Sequence, residues 1–168
     1  KGASSVKNGV QGITGQINSE LIKPYKAPML FINLFGNYTG RVELNAQFNY
    51  RLTKEWSTGL LVHGNYYGTE IDYNNDSFLD IPKKQQLNVI SRWIYKPKNL
   101  HFELNAHGIL DNRSGGQTSG AYEKVFDTAP TQLYQVSSQI KRLGLFGKLG
   151  YFGFNNPKQS IAVVYDFN

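Results

Sequence analysis

The sequence predicts an all-β fold, an antiparallel transmembrane β-barrel, and three observations lead to this prediction. Polar and apolar residues alternate over long runs, the connections between the runs are alternately tight and long, and aromatic residues gather beside the tight turns. The composition agrees, because Tyr 11, Phe 10 and Gly 17 accompany a single Met. A membrane strand needs only about 9–11 residues with every second one apolar, so an average hydropathy is compatible with it.

The strands are predicted from this alternation, which is clearest at residues 40–52. There every second residue is apolar, from Val42 to Leu52, and the residues between them are polar, from Arg41 to Arg51. Runs of this length exceed the usual soluble strand of about 5–6 residues and suit a tilted membrane crossing. Weaker or shorter runs bring the total to about seven strands: residues 29–37, 56–67, 87–95, 100–110, 138–152 and 159–168.

The connections between these runs differ in length in a regular way. A barrel of the outer membrane has tight turns at its periplasmic end and longer loops outside. The chain fits this pattern, except that its first outer connection, around residues 38–40, is short. The tight turns are predicted at 53–55, 96–99 and 155–158, and the long loops at 69–86 and 113–136.

Aromatic residues of the apolar face lie within a few residues of the tight turns. Their rings favour the headgroup level of a membrane, so they predict an aromatic girdle at one interface. Tyr38 and Tyr66, at the opposite strand ends, fit an outer girdle. A soluble antiparallel sandwich also has a period of two and stays open as an alternative. The residues of the girdle are Tyr50, Trp56, Trp93, Tyr95, Phe102 and Tyr151.

Composition and motifs exclude several other classes of protein. The chain has no cysteine, so it has neither disulfides nor thiolate metal sites. Its net charge of +6 comes from scattered lysines and arginines rather than a patch, which argues against a nucleic-acid partner. The sequence contains no nucleophile elbow, zinc-binding helix motif or phosphate loop, and no carboxylate pair stands out, so we do not expect an enzyme.

The first 24 residues differ in character from the strands that follow. Lys1-Gly2 and Ser4-Ser5 are followed by Gly9 and then by Gly15-Gln16-Ile17-Asn18, and such glycines suit tight turns. These residues resemble the end of the plug domain of TonB-dependent outer-membrane receptors. The rest of the chain is similar to the first third of such a barrel in Bacteroidetes-type bacteria. We therefore expect the plug end and linker at 1–24 and the first part of the barrel at 25–168, with both ends cut from a longer chain.

This resemblance implies a function, a location and partners. The family takes up scarce nutrients such as ferric siderophores, haem, cobalamin or glycans, driven by the TonB complex of the inner membrane. We therefore expect a multi-pass protein of the bacterial outer membrane, in contact with its lipids, with a small-molecule or glycan ligand. The TonB-coupling region of the family is absent from these residues. A passive porin or structural barrel, and a soluble β-sheet adhesin or binding module, are the alternatives.

One motif in the first long loop resembles the start of a calcium-binding loop. Oxygen ligands at alternate positions, with a backbone carbonyl among them, are typical of an EF-hand-like site. Two departures are that Ser77 stands where glycine usually makes the sharp turn and that Lys83 stands where a glutamate is expected. A polar turn without metal is the alternative reading. The candidate ligands are Asp72, Asn74, Asp76, Phe78 (through its carbonyl) and Asp80.

Other candidates for ligand contact lie in the second long loop and on the polar face. The polar, glycine-rich loop after residue 110 offers Arg113, Gln117 and Tyr122 as ligand contacts, although many such loops are simply exposed. His63, His101 and His107 fall on the polar face of separate strands and suggest either a metal or haem site or an ordinary polar lining. Charged residues of that face suit contact with a plug or with water: Arg41, Glu43, Arg51, Arg92, Glu103 and Arg142.

Overall fold

The computed structural model describes residues 21–120, 134–156 and 158–167. All of its strands belong to one antiparallel sheet in which each strand pairs with its neighbours in the chain. The all-β class, the number of strands and the antiparallel arrangement predicted from the sequence are therefore confirmed. The strands are β1 (Leu30–Gly36), β2 (Arg41–Arg51), β3 (Trp56–Tyr67), β4 (Lys83–Tyr95), β5 (Leu100–Gly116), β6 (Gln135–Tyr151) and β7 (Ile161–Phe167).

The sheet is open. Strands β1 and β7 form its two edges and do not pair with each other, so the described strands do not close into a barrel. None of the described residues forms a helix, and none therefore provides a helical membrane span. Residues 1–20, which carry the plug-like motifs, lie outside the described residues.

Some strands are longer than their sequence patterns predict. Strand β4 begins at Lys83 rather than at residue 87, and β5 continues to Gly116 rather than ending at 110. The added residue pairs are polar on both faces, as in Gln85 opposite Asn112, so the alternation fades while the backbone pairing continues. The connection before β4 is correspondingly shorter than predicted and covers residues 68–82. Strand β5 ends at Gly116 and β6 begins at Gln135, so both strands extend into the predicted loop 113–136.

The register places most of the large apolar side chains on one face of the sheet, which we call the apolar face. Its large side chains are exposed, and the exposed fraction reaches 72% for Leu34 and 82% for Leu143. An exposed apolar face this extensive exceeds the patches that monomeric soluble proteins usually show. Members of this face include Leu30, Leu34, Leu44, Phe48, Leu60, Leu87, Leu110, Leu143, Leu145, Leu149 and Val163.

The opposite face, which we call the polar face, carries most of the buried residues. Only Tyr67 and Ile94 are buried hydrophobic residues in the described part of the chain. The buried polar residues are more numerous, and this is the reverse of the distribution in a water-soluble domain. They are Asn49, Ser57, Asn65, Arg92, Glu103 and Asp111.

Aromatic side chains form adjacent rows at one end of the apolar face. Trp56 pairs with Tyr95, which pairs with Phe102, and the Trp56 and Tyr95 rings stack with their centroids 4.6 Å apart. Tyr66 lies at the other end of β3. The ten residue steps from Trp56 to Tyr66 span about 33 Å along the strand, which a tilt of about 40° reduces to about 25 Å. That height matches the apolar band of a membrane barrel.

The segment that precedes β1 lies across the polar face, and we call residues 21–29 the strap. It contains a tight turn, in which the amides of Lys26 and Ala27 donate to the carbonyl of Lys23 at 2.9 and 3.1 Å. It joins the sheet where the amide of Asn49 donates to the carbonyl of Met29 at 2.7 Å. The strap therefore covers the tight-turn half of the polar face.

Candidate functional site

An ion cluster lies beneath the strap, in the tight-turn half of the polar face. The Glu103 carboxylate lies 2.9 Å from Lys23 Nζ and 3.3 Å from Arg92 Nη2. Arg92 also donates to the Asn105 side-chain oxygen at 3.1 Å and to the carbonyl of Ile22 at 2.7 Å. Arg92 and Glu103 are buried, so their charges are stabilised by each other and by the strap. The cluster ties strands β4 and β5 to the strap.

Two residues at the end of β2 hold the remainder of the strap. Asn49 donates from its amide to the carbonyl of Pro28 at 2.7 Å, and Arg51 donates to the carbonyl of Tyr25 at 2.9 Å. The ammonium of Lys96 lies 5.9 Å from the centre of the Tyr25 ring, within the range of a cation–π contact. Polar side chains of the sheet thus satisfy backbone groups that the strap cannot satisfy itself.

Close packing accompanies these hydrogen bonds. A Cβ atom added to Gly59 would lie 3.1 Å from Pro24 Cγ and 2.8 Å from Asn49 Oδ1. The strap therefore approaches the backbone of β3 at a position where only glycine fits without a shift. A search of the sequence for a glycine within a strand would have found this position, because such a glycine often marks close backbone approach.

The histidines of the polar face lie in separate rows of the sheet. His63 Nδ1 is 2.7 Å from Asn45 Oδ1, and His101 Nε2 is 3.6 Å from the Glu103 carboxylate. His107 pairs with Ile90 and Gly144. Within the described ranges no three His, Cys, Asp or Glu side chains are grouped so that they could hold a metal ion.

The predicted calcium loop is folded by its own hydrogen bonds. The Asp72 carboxylate accepts the amides of Asp76 and Ser77 at 3.1 and 2.9 Å, and Asp76 accepts the amide of Phe78 at 2.8 Å. Ser77 has φ of 69°, so the sharp turn lies where the motif places glycine. This arrangement is that of a hydrogen-bonded polar turn. Calcium binding by the loop stays a prediction.

The other two candidate ligands of the loop are also engaged. The Asn74 amide donates to the Asp76 carboxylate at 2.9 Å, and Asp80 accepts the amide of Tyr73 at 2.7 Å. Phe78 forms an isolated antiparallel bridge with Gln117, which brings the two long loops together.

Further contacts join the two long loops into one layer. Glu70 accepts from Lys83 Nζ at 2.7 Å and from the amide and hydroxyl of Ser119 at 2.9 and 2.8 Å. The hydrogen bond from Lys83, followed by those from Ser119, lowers the pKa of Glu70 to about 2. Gly116, with φ of 120°, continues the strand into this layer. A carboxylate between the loops therefore holds them together at neutral pH.

The predicted ligand contacts are placed as follows. Arg113 forms a two-pronged ion pair with Asp111, at 3.0 and 2.8 Å, and lines a cavity of about 550 Å³ at the long-loop ends of β3 to β6. Gln117 lies outside the lining of this cavity and accepts the amide of Tyr134 through its side chain at 2.8 Å. Tyr122 lies outside the described residues.

Sequence reasoning assigned Arg92 and Glu103 only a general lining role and did not find the strap. The signal that pointed to them is a charged residue within a long strand, three positions from its tight-turn end, since such a charge requires a partner when it is buried. The polar face also holds buried oxygen atoms with no hydrogen-bond partner among the described residues. They belong to Ser57, Asn65, Tyr67 and Asn88.

Comparison with family models, with curated proteins and with solved structures gives no match to this chain.

Proposed function

We propose that the chain is the first part of a β-barrel of the bacterial outer membrane and belongs to a TonB-dependent receptor. The observation that carries the membrane location is the reversed polarity of the sheet, with apolar side chains exposed and polar side chains buried. This distribution is favourable in lipid, because a leucine that faces water lacks the free energy gained when an apolar side chain moves from water into an apolar environment. The aromatic rows at one end of the apolar face support the same conclusion.

In lipid the open sheet requires more strands. The outer edges of β1 and β7, which have no partner strand in the described part of the chain, would expose backbone amides and carbonyls that lipid cannot satisfy. Further strands must therefore pair with both edges in the functional barrel. The transporting object is the closed barrel rather than the seven strands alone.

Active uptake is favoured over passive diffusion by the strap. A segment held across the polar face by an ion cluster and by hydrogen bonds would occupy the interior of the barrel. That position suits a chain that arrives from a plug domain, which residues 1–18 resemble. A passive porin has no need of such a segment. We propose a scarce nutrient as the ligand, either a small-molecule chelate or a glycan.

The membrane location is tested with the natural tryptophans. The chain has two, Trp56 and Trp93, and both lie on the apolar face near the tight turns. We expect lipids brominated near the headgroup to quench their fluorescence more strongly than lipids brominated near the bilayer centre. A soluble sandwich would bury both rings in its core and leave them unquenched by either lipid.

A matched variant controls for nonspecific quenching. In the background Trp56→Phe and Trp93→Phe, a tryptophan introduced by Leu61→Trp lies on the polar face. We expect this ring to be unquenched by either brominated lipid. Equal quenching of the native and the introduced tryptophans would contradict the assignment of the faces.

The transport step has a separate test. Cells that carry the complete receptor should lose uptake of its nutrient when the TonB protein is deleted, while a passive porin would continue to admit it. Uptake that persists without TonB would overturn the proposal of active transport, but it would not contradict the proposal of a membrane barrel.

A further inference from the structure

The charges of the described residues are distributed unevenly between the two ends of the sheet. Exposed lysines lie in the strap and in the connections after β2, β4 and β6. Among the described residues of these segments, the only carboxylate is that of Glu55. At the opposite end, residues 68–82 carry four carboxylates and no lysine or arginine. The sheet is therefore basic at its tight-turn end. The exposed lysines of this end are Lys26, Lys54, Lys96, Lys98 and Lys158.

None of these lysines forms an ion pair with a carboxylate among the described residues. The ion pairs among the described residues involve other cations. In this group of lysines, the Lys96 ammonium lies 5.9 Å from the centre of the Tyr25 ring. A group of like charges at one end of a small sheet raises the local potential and attracts anions. These five lysines are scattered along the sequence, but the fold brings them to one end of the sheet, where they form a basic surface that we call the lysine rim.

The backbone holds the lysine rim in a row. The amide of Lys96 donates to the carbonyl of Glu55 at 2.9 Å, which joins the turn after β2 to the turn after β4. The amide of Phe152 donates to the carbonyl of Asn99 at 2.8 Å, which joins the turn after β4 to the connection after β6. The connections that carry Lys54, Lys96, Lys98 and Lys158 therefore lie side by side at one end of the sheet.

The lysine rim lies directly beside the aromatic rows of the apolar face. Trp56 follows Lys54 and Glu55 in the chain, and Tyr95 immediately precedes Lys96. Aromatic rings at the headgroup level with lysines just beyond them match the two layers of a membrane surface, the interface and its charged headgroups. The occupant that fits this arrangement is an anionic phospholipid, because its phosphate lies just outside the aromatic level.

We propose that the lysine rim binds the anionic headgroups of phospholipids in the leaflet that meets the tight turns. This inference rests on the proposed membrane location and adds a lipid preference to it. In the orientation with tight turns toward the periplasm, the leaflet is the inner one. The binding would hold the barrel at a fixed depth and orientation.

The test measures binding of the closed barrel, with this 168-residue chain as its first part, to vesicles. The vesicles contain phosphatidylcholine alone or a mixture with phosphatidylglycerol, and bound protein is separated by flotation. We expect the partition coefficient to rise about tenfold or more with phosphatidylglycerol at low salt, and most of this rise to vanish in about 0.5 M sodium chloride. The variant Lys54→Gln, Lys96→Gln, Lys98→Gln should keep only about a twofold to threefold preference.

The control variant removes the same charge from the polar face. It combines Lys84→Gln, Arg142→Gln and Lys148→Gln, which lie on that face, and it should keep the full preference. Equal losses in both variants, or equal binding of the native chain to both vesicles, would overturn the inference. If either of these results is obtained while brominated lipid in the same vesicles quenches the native tryptophans, the lipid preference fails but the proposed membrane location stands. If no vesicle binds the chain and the tryptophans stay unquenched, the membrane location fails as well.

Discussion

Single residues explain how the strap is held, and Gly59 is the most informative of them. Its hydrogen atoms leave room for the Pro24 ring and for the Asn49 side chain that binds the strap. The alternation of β3 did not predict this role, because the partner segment has no strand pattern of its own. Only the folded chain brings Pro24 and Gly59 together, 35 positions apart.

Gly59→Ala should loosen the strap. The added methyl group would press on Pro24 and Asn49, and such overpacking costs about 1–3 kcal/mol. We expect trypsin to cleave after Lys26 about fivefold or more faster in the variant, because the strap spends more time detached. Gly64→Ala is the matched control, since a Cβ atom at Gly64 meets nothing within 4 Å. Unchanged cleavage in Gly59→Ala would contradict the close packing.

At the scale of strands and loops, the sequence predicted the strands well where one face is apolar and the other polar. The bounds of β3 match the predicted run at both ends, and those of β2 differ by one residue. The ends of β4 and β5 were missed because their outer residues are polar on both faces, and no pattern then separates a strand from a loop. The contact between the two long loops was also invisible in sequence, since it depends on Glu70 reaching Ser119.

The Glu70 contact gives the long loops a dependence on pH. Because the folded state lowers the pKa of Glu70 from 4.5 to about 2, the contact contributes stability above pH 4.5 and loses it as the pH falls toward 2. We expect the carboxyl resonance of Glu70 to titrate near pH 2 by NMR. The Lys83→Gln variant removes the largest cause of the lowered pKa and should move the pKa of Glu70 toward 4.5. A titration near 4.5 in the native chain would show that the contact does not form.

The loop at residues 72–80 offers a choice between calcium binding and a metal-free turn. The predicted site requires that calcium titration releases or absorbs heat, and that Asp76→Asn weakens binding about tenfold or more through the lost charge. The turn alone requires only an oxygen that accepts the Phe78 amide, which asparagine still supplies. Calorimetry on the native chain, Asp76→Asn and Asp76→Ala separates these outcomes. Absence of heat in the native chain would remove calcium from this loop.

At the scale of the whole molecule, the sequence predicts one apolar and one polar face, but it does not show whether the apolar face meets lipid or a second sheet. Alternation alone is shared by a sandwich core and by a lipid-facing band, and both were open from the pattern. In the folded sheet the apolar face has no second layer over it among the described residues, while the strap covers part of the polar face. A single substitution at Leu143, the most exposed of the described leucines and near the middle of the apolar band, therefore separates the two environments.

Leu143→Arg should impair membrane insertion. A lipid-facing arginine near the bilayer midplane costs about 2–4 kcal/mol, whereas the same arginine on a water-exposed surface costs almost nothing. We expect the midpoint of urea unfolding in lipid bilayers to fall, with a corresponding loss of free energy. His107→Arg is the matched control, because it places an arginine on the polar face of the adjacent strand, beside Gly144. A Leu143→Arg variant as stable as native protein in bilayers would place the apolar face in water and remove the basis of the membrane proposal.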